Sequence, residues 1–480
     1  MNNRFDLLVV GGGLAGLTAA NRGVQLGMTV AVLEKGTDAR YLCNTRYTGG
    51  TLHICLTDIM SGEAAHVASI ERLCDEARPD LVHAIASNAE RAVRWLQSEG
   101  SKFIKASASP HHRWVLAPPG RTRPGLEWEG RAGDLLLRRL SRNLNERGGE
   151  LILGSRAQQL LVENGRCVGV QTEIDGTSHP FTTQAVVLAD GGFQAAPELL
   201  RKHIAKAPER LHQRNAGTGT GDGLQMALQL GAAAVGLNRF YGHLISLDAL
   251  TNENLWPYPY FDSLVAAAIL VDGEGERIDN EGLGGVHAAN AVASLDDPQS
   301  AFVVFDQEIW DGAGRHGLIS VNPHLMREGG TLHRADTLEN LAILIGTREL
   351  PFTIYAYNRA VERPSFNSLS PPRTTLKGTP IAIRKAPFYA APVCAGITYT
   401  MGGIAIDGDA RVLRGDDSVI EGLYAAGTTI GGLEGGSASG YVGGLSQSVI
   451  TGLLAAEHAA EMKEVSDRYN ANWGSPRGLA

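Results

Sequence analysis

The 480-residue chain is 43% hydrophobic, enough to bury a large core and too much for one simple layer, so two domains are expected. Its formal net charge of −8 argues against a surface built to attract nucleic-acid phosphates or anionic lipid. The five cysteines are odd in number and widely spaced, with no CxxC or CxxCH pair, so reduced thiols are expected rather than a disulfide framework, a metal site or a haem attachment.

No apolar run reaches the roughly 18 residues of a membrane span. MNNRFDLLVV enters a strand directly, with no leader pattern, and a cytoplasmic protein is expected. FDLLVV is a continuous apolar run with β-branched residues, as in a parallel strand buried on both faces. It runs into GGGLAGLTAANRGVQLG, where Gly11, Gly13 and Gly16 fit GxGxxG. Gly11 permits the tight turn, and Gly13 lets backbone approach a pyrophosphate where Leu14 and Ala15 open the helix. Gly16 lets that helix pack closely on the strand. The next strand, MTVAVLEKG, ends in Glu34 and Lys35, roughly 20 residues on, where a carboxylate accepts hydrogen bonds from ribose hydroxyls and repels the extra phosphate of NADP. The fingerprint occurs once, so a single dinucleotide is expected.

Helical spacing follows over residues 60–100, broken near Pro79. ELILGSRAQQLLVENGRCVGVQTEIDG reads as two or three strands with an Asn164-Gly165 hairpin turn. TTQAVVLADGGF is a buried strand closing on Ala189, Asp190, Gly191 and Gly192, where backbone faces a cofactor. GTGTGDGLQMALQLGAA is a glycine loop entering a helix, with Asp222 as its cap. From 241 to 375 aromatics, prolines and short mixed segments take over, which reads as a second, capping domain. EGLYAAGTTIGGLEGGSASGYVGGLSQSVITGLLAAEHAA restores strand, glycines and a long apolar helix, so the first domain is discontinuous, 1–240 and 376–480, ending in a frayed tail at ANWGSPRGLA.

This order of elements resembles the flavoprotein superfamily of fumarate reductase and succinate dehydrogenase, 3-ketosteroid dehydrogenases and tricarballylate dehydrogenase. The motifs are GGGLAGLTAA with Glu34, CNTRYTGG, SRAQQLLVENGRCVGV, LADGGF, TGTGDG, GERIDNEG, GITYTMGG and GLYAAGTTIGG, spread over nearly the whole chain. The resemblance implies an α/β fold with a discontinuous Rossmann-like FAD-binding domain of GR2 type and an inserted α+β capping domain. It implies FAD with its phosphates on Gly11 to Gly16, its adenosine ribose on Glu34 and its adenine beside Ala157. The flavin ring would lie near Thr45, Gly49, Gly50, Gly427, Thr428, Leu445 and Ser446, with the C-terminal helix pointing its positive end at the pyrimidine. Relatives with covalent flavin carry a histidine in the segment matching NTRYTGG, where this chain has Tyr47 and no histidine, so noncovalent FAD is expected.

In the dicarboxylate reductases of that superfamily a substrate-binding histidine stands where this chain has Tyr399, beside Gly402 and Gly403. LNRFYGH puts Tyr241 at a second substrate histidine, with His243 two residues on. The proton-donating arginine of those enzymes falls near Trp310, and a further substrate arginine maps around Tyr441. Phenols and an indole cannot neutralise two carboxylates in a dry pocket, which disfavours fumarate or succinate. They suit a neutral carbonyl: one phenol donates to the ketone oxygen, and another, with a lowered pKa, removes the α-proton. The expected enzyme is an FAD-dependent dehydrogenase, or desaturase, acting on CH–CH donors. It would introduce a C=C bond next to the carbonyl of a cyclic ketone or oxo acid, with hydride passing from the β-carbon to flavin N5. Arg373 and Arg46 are candidates to anchor a single carboxylate. Two alternatives stay open: a tricarballylate-type or fumarate reductase-like enzyme, and a flavoprotein subunit that passes electrons to a partner chain. A small-molecule acceptor, such as a quinone, a dye-like compound or oxygen, is expected in preference to NAD. Direction, homo-oligomer formation and the division of acid and base roles among the tyrosines stay open.

Overall fold

In the computed structural model, residues 3–120, 127–317 and 319–473 are described; residues 474–480 of the tail expected to fray lie outside them. Five parallel strands run side by side in the order Val419–Ala425, Thr177–Leu188, Arg4–Val10, Val30–Glu34 and Glu150–Leu153. The strand read from FDLLVV is central, and Leu7, Leu8 and Val9 are wholly buried, as a strand covered on both faces must be. Each such side chain contributes about 1.5–3 kcal/mol of burial free energy. The hairpin Arg156–Glu163 to Arg166–Ile174 turns on Asn164 and Gly165, both at positive φ, and continues antiparallel into Thr177–Leu188; with Arg411–Leu413, antiparallel to Val419–Ala425 at the other edge, the sheet has eight strands.

Helix Leu14–Gln25 packs against the helices Gly444–Trp473 and Ala132–Glu146. The helical stretch after residue 60 forms as Glu63–Leu73 and Pro79–Ser98, with Pro79 in the first turn, where its missing N–H costs nothing. Helix Asp222–Gln229 starts differently from expectation. Its cap is Gly221 in a left-handed conformation, so Asp222 is the first helical residue and its carboxylate goes to Lys35, Thr220 and Arg156 instead.

A second sheet of six strands is organised by Phe388–Thr400, whose thirteen residues are buried except half-buried Thr398. It pairs with Phe240–Ser246, Ala301–Asp306, His333–Ala335 and the short His212–Gln213. The sheet therefore reaches beyond segment 241–375 in both directions, because its pairings join remote stretches that local composition does not mark. Among the described residues no helix is long and apolar enough to cross a membrane.

Candidate functional site

The parallel strands end at a crevice lined by Gly11, Gly13, Leu14 and Ala15, by Glu34 and Lys35, by Thr45, and by Ala157. Ala189, Asp190, Gly191, Asp222, Gly427 and Thr428 complete its walls. Gly11 sits at φ +103°, and a Cβ there would stand 2.6 Å from the Ala189 carbonyl oxygen. Gly16 lies behind the crevice wall, where a Cβ would stand 1.9 Å from the Gly11 carbonyl oxygen. Gly13 starts helix Leu14–Gln25 with no side-chain cap, and a Cβ on it would meet nothing nearer than 3.9 Å. The Leu14 N–H donates to Thr45 Oγ1 at 3.1 Å. An uncapped helix start beside open backbone is an anion site.

Glu34 accepts the N–H groups of Gly12 and Gly36, each at 2.7 Å, which orients the carboxylate while leaving lone pairs for a ribose. Burial pushes its pKa up, and those N–H groups and Lys35 oppose the shift. Asp190 accepts the Gly223 N–H on Oδ2, but its buried Oδ1 has no partner, and burial pushes the carboxyl up to about 6. Such an acceptor suits a hydroxyl-bearing ligand. Phosphate-binding backbone, a ribose-binding acid and a spare acceptor between them fit FAD.

At Asn44, Thr45, Thr428 and Ser448 the crevice passes into a larger cavity, also lined by Gly49, Gly444 and Leu445 at the start of helix Gly444–Trp473. Tyr241, Tyr399 and Tyr441 meet there. Tyr241 and Tyr399 are direct partners across the second sheet, their rings 5.3 Å apart, and Tyr441 stacks on Tyr241 at 3.9 Å. Tyr399 Oη donates to Glu434 Oε2 at 2.8 Å, while Glu434 Oε1 accepts the N–H groups of Val442 and Gly443. Burial pushes the Glu434 carboxyl up to about 7 against the pull of these hydrogen bonds.

Tyr241 Oη lies 3.1 Å from His243 Nε2, and His243 Nδ1 lies 2.6 Å from Asp262 Oδ2. The carboxylate fixes the proton on Nδ1 and leaves Nε2 as an acceptor for the phenol. Burial holds His243 below its ordinary value, with Asp262 opposing. All three phenols are pushed up by burial, and for Tyr241 the neighbouring Tyr441 adds while Arg214 opposes. This corrects the expectation of a phenol with a lowered pKa: the hydroxyls stay protonated at neutral pH, so a base role has to run through His243.

Guanidinium and imidazole groups are present as well. Arg46, Arg131, Arg214, His53, His111 and His112 line the cavity. Burial holds His53 down at about 3 and His111 at about 4, so both are neutral. Arg46 is tied to Asp134 and to the carbonyls of Tyr41 and Ala39, which removes it as a free carboxylate anchor. Arg373 lies outside the cavity, buried against Glu281 and the carbonyls of Ala266 and Ala268. Trp310 is also elsewhere, stacked with Phe305 and near Tyr389. Gly402 and Gly403 serve backbone packing, since a Cβ on either would stand 2.1 Å from a carbonyl oxygen, of Gly236 or Thr429.

Gly50, Gly192 and Ser446 stand behind the walls, against Ala132, Thr400 and His53 respectively. Sequence reasoning passed over Arg214, Asp262 and Glu434. The sequence did hold a signal for Glu434, a lone carboxylate inside GGLEGG, and for Arg214, a charge directly before a glycine loop.

The sequence matches the family described as FAD binding domain over residues 6–442. NADH:acrylate oxidoreductase of Vibrio harveyi is 29% identical over 401 residues, 80% of this chain and 37% of that protein, so the chain spans well under half the length of this relative. The 4-oxocyclohexanecarboxylate 2-dehydrogenase of Sinomonas cyclohexanicum is 27% identical over 537 residues, 92% of this chain and 89% of that protein. In fold the chain is similar to 3-ketosteroid delta1-dehydrogenase from Sterolibacterium denitrificans, with a TM-score of 0.72 at 20% identity over 96% of this chain and 100% of that one.

Proposed function

The chain belongs to the FAD binding domain family of flavin-dependent oxidoreductases, and from that premise we propose that it forms or reduces a C=C bond next to the carbonyl of a cyclic ketone or oxo acid. The carrying observation is the convergence of three buried phenols on one cavity at the end of the FAD crevice. The relative that acts on 4-oxocyclohexanecarboxylate supports the same substrate class. Bound FAD supplies the two-electron hydride acceptor, or the donor in the reverse direction.

The chain's own residues handle the protons. Tyr399 is protonated and shares its proton with Glu434. When Glu434 is itself protonated on Oε2 it donates back to Tyr399 Oη, and the phenolic O–H is released to a carbonyl oxygen. Donation there stabilises enolate charge as it develops, an effect worth about 3 kcal/mol for one well-placed donor. Tyr241 takes the α-proton as it passes its own to His243 Nε2, and Asp262 stabilises the imidazolium that forms. Tyr441, stacked on Tyr241, fixes the plane of that ring.

The test is anaerobic mixing of the purified holoenzyme with cyclic ketones, ring oxo acids and dicarboxylates while the flavin absorbance is followed. Bleaching by ketones or oxo acids is expected, and Tyr399→Phe should slow it about 10²–10³-fold. Bleaching by dicarboxylates alone, or an unchanged rate in Tyr399→Phe, would overturn the reading.

A further inference from the structure

We infer that Arg214 anchors one carboxylate of the substrate, which narrows the ligand class from cyclic ketones in general to ring oxo acids. The ketone half of this statement rests on the function proposed above; the carboxylate half rests on Arg214 alone. The strand His212–Gln213 pairs with Gly396 and Ile397, and the Arg214 N–H donates to the Ile397 carbonyl at 2.8 Å, so the residue is delivered beside Thr398 and Tyr399. Gly396 makes room for its stem, since a Cβ there would stand 2.3 Å from Arg214 Cδ.

Thr398 Oγ1 accepts from Nη1 at 3.0 Å and the Pro257 carbonyl accepts from Nη2 at 3.2 Å. These clamps use two of five N–H donors and hold the guanidinium in one orientation. Its Nε–H is buried without an acceptor, and so is the Nε1–H of Trp256, the residue before Pro257; both side chains belong to residues lining the cavity. Among the described residues no carboxylate lies within ion-pair distance of Arg214, in contrast to Arg46 with Asp134 and Arg373 with Glu281.

A fixed planar fork with a spare donor, and an unpartnered indole N–H on the residue before its Pro257 clamp, match a carboxylate, which accepts bidentate hydrogen bonds in one plane. Among the described residues Arg131 also lacks a carboxylate partner, but no hydrogen bond there holds its guanidinium, so it offers no second built subsite. One anchored carboxylate beside three phenols describes a molecule with one acid arm and one oxo group.

The experiment titrates holoenzyme with two unreactive ligands, cyclohexanecarboxylate and cyclohexanecarboxamide, reading the perturbation of flavin absorbance. The acid should bind at least about tenfold more tightly than the amide. Arg214→Gln should erase that preference with its FAD content intact, and Arg214→Lys should retain part of it. Equal binding of acid and amide by the native protein overturns the inference, as does an acid preference that survives in Arg214→Gln. Succinate binding more than about tenfold tighter than the monoacid also overturns it, because that requires a second anchor. Should Arg214→Gln lose its FAD, the native ratio and Arg214→Lys decide: a full acid preference in Arg214→Lys, which lacks the fork, counts against the inference. Arg214-dependent acid binding in a protein that turns over no ketone sinks the proposed reaction and leaves the subsite standing. Ketone turnover without acid preference does the reverse.

Discussion

Glu434 is buried against Tyr399 and the Val442–Gly443 backbone, and its carboxyl is pushed up from 4.5 to about 7. The folded state holds this proton more tightly than the unfolded chain does, so raising the pH favours unfolding. The associated stability is present below pH 4.5 and is lost as pH rises toward 7. The difference corresponds to about 3 kcal/mol. Denaturant unfolding should show stability falling across that window, and Glu434→Gln should flatten the slope, since its amide oxygen still accepts from Val442 and Gly443. Activity limited by Tyr399 should lose its inflection near neutral pH in the same variant. The three tyrosines were legible from their sequence positions, but their electrostatics were not: whether a phenol is raised or lowered depends on burial and on neighbours such as Glu434 and Arg214, which other segments deliver.

Among the elements, the N-terminal strand, glycine loop and helix were readable, because Gly11 and Gly16 each answer a local steric demand. Gly16 illustrates it: the helix meets the strand so closely that a methyl group would overlap the Gly11 carbonyl. Gly16→Ala should push the helix off the strand, cost about 1–3 kcal/mol, and lower the FAD retained on purification, read as the ratio of absorbance at 450 nm to that at 280 nm. The helix start at Asp222 was misread because a left-handed Gly221 does the capping, and a capping acid and a first-turn acid look alike in sequence. Of strand Phe388–Thr400 only the GITYTMGG motif was legible, and not its part as the spine of a second sheet, since its four partners are set by long-range pairing. The same pairing brings Arg214 to the cavity, whereas Arg373 is held away by Glu281 and Trp310 by its stack on Phe305.

For the whole molecule, the crevice proposed to hold FAD is lined from both ends of the chain, Gly11 to Lys35 on one side and Gly427 to Thr428 on the other. A ligand that binds only the folded chain stabilises it by mass action, about 4 kcal/mol at a thousandfold excess over its Kd. Stripping the flavin should therefore lower the melting temperature by several degrees, and adding FAD back should restore it, as a thermal scan with and without cofactor will show. Strand Phe388–Thr400 ties this half to the second sheet: Thr400 Oγ1 accepts the Phe193 N–H, and the Thr398 carbonyl accepts from Asn44. Tyr399 stands between these two fastenings. A wider pocket for a bulkier ring thus cannot evolve by slackening the layers, since that would drag Tyr399 off its mark. Enlargement has to come from trimming wall residues such as Trp256, Tyr258 and Tyr260, which line the cavity outside that strand. Specificity can drift there while the proton chemistry stays anchored.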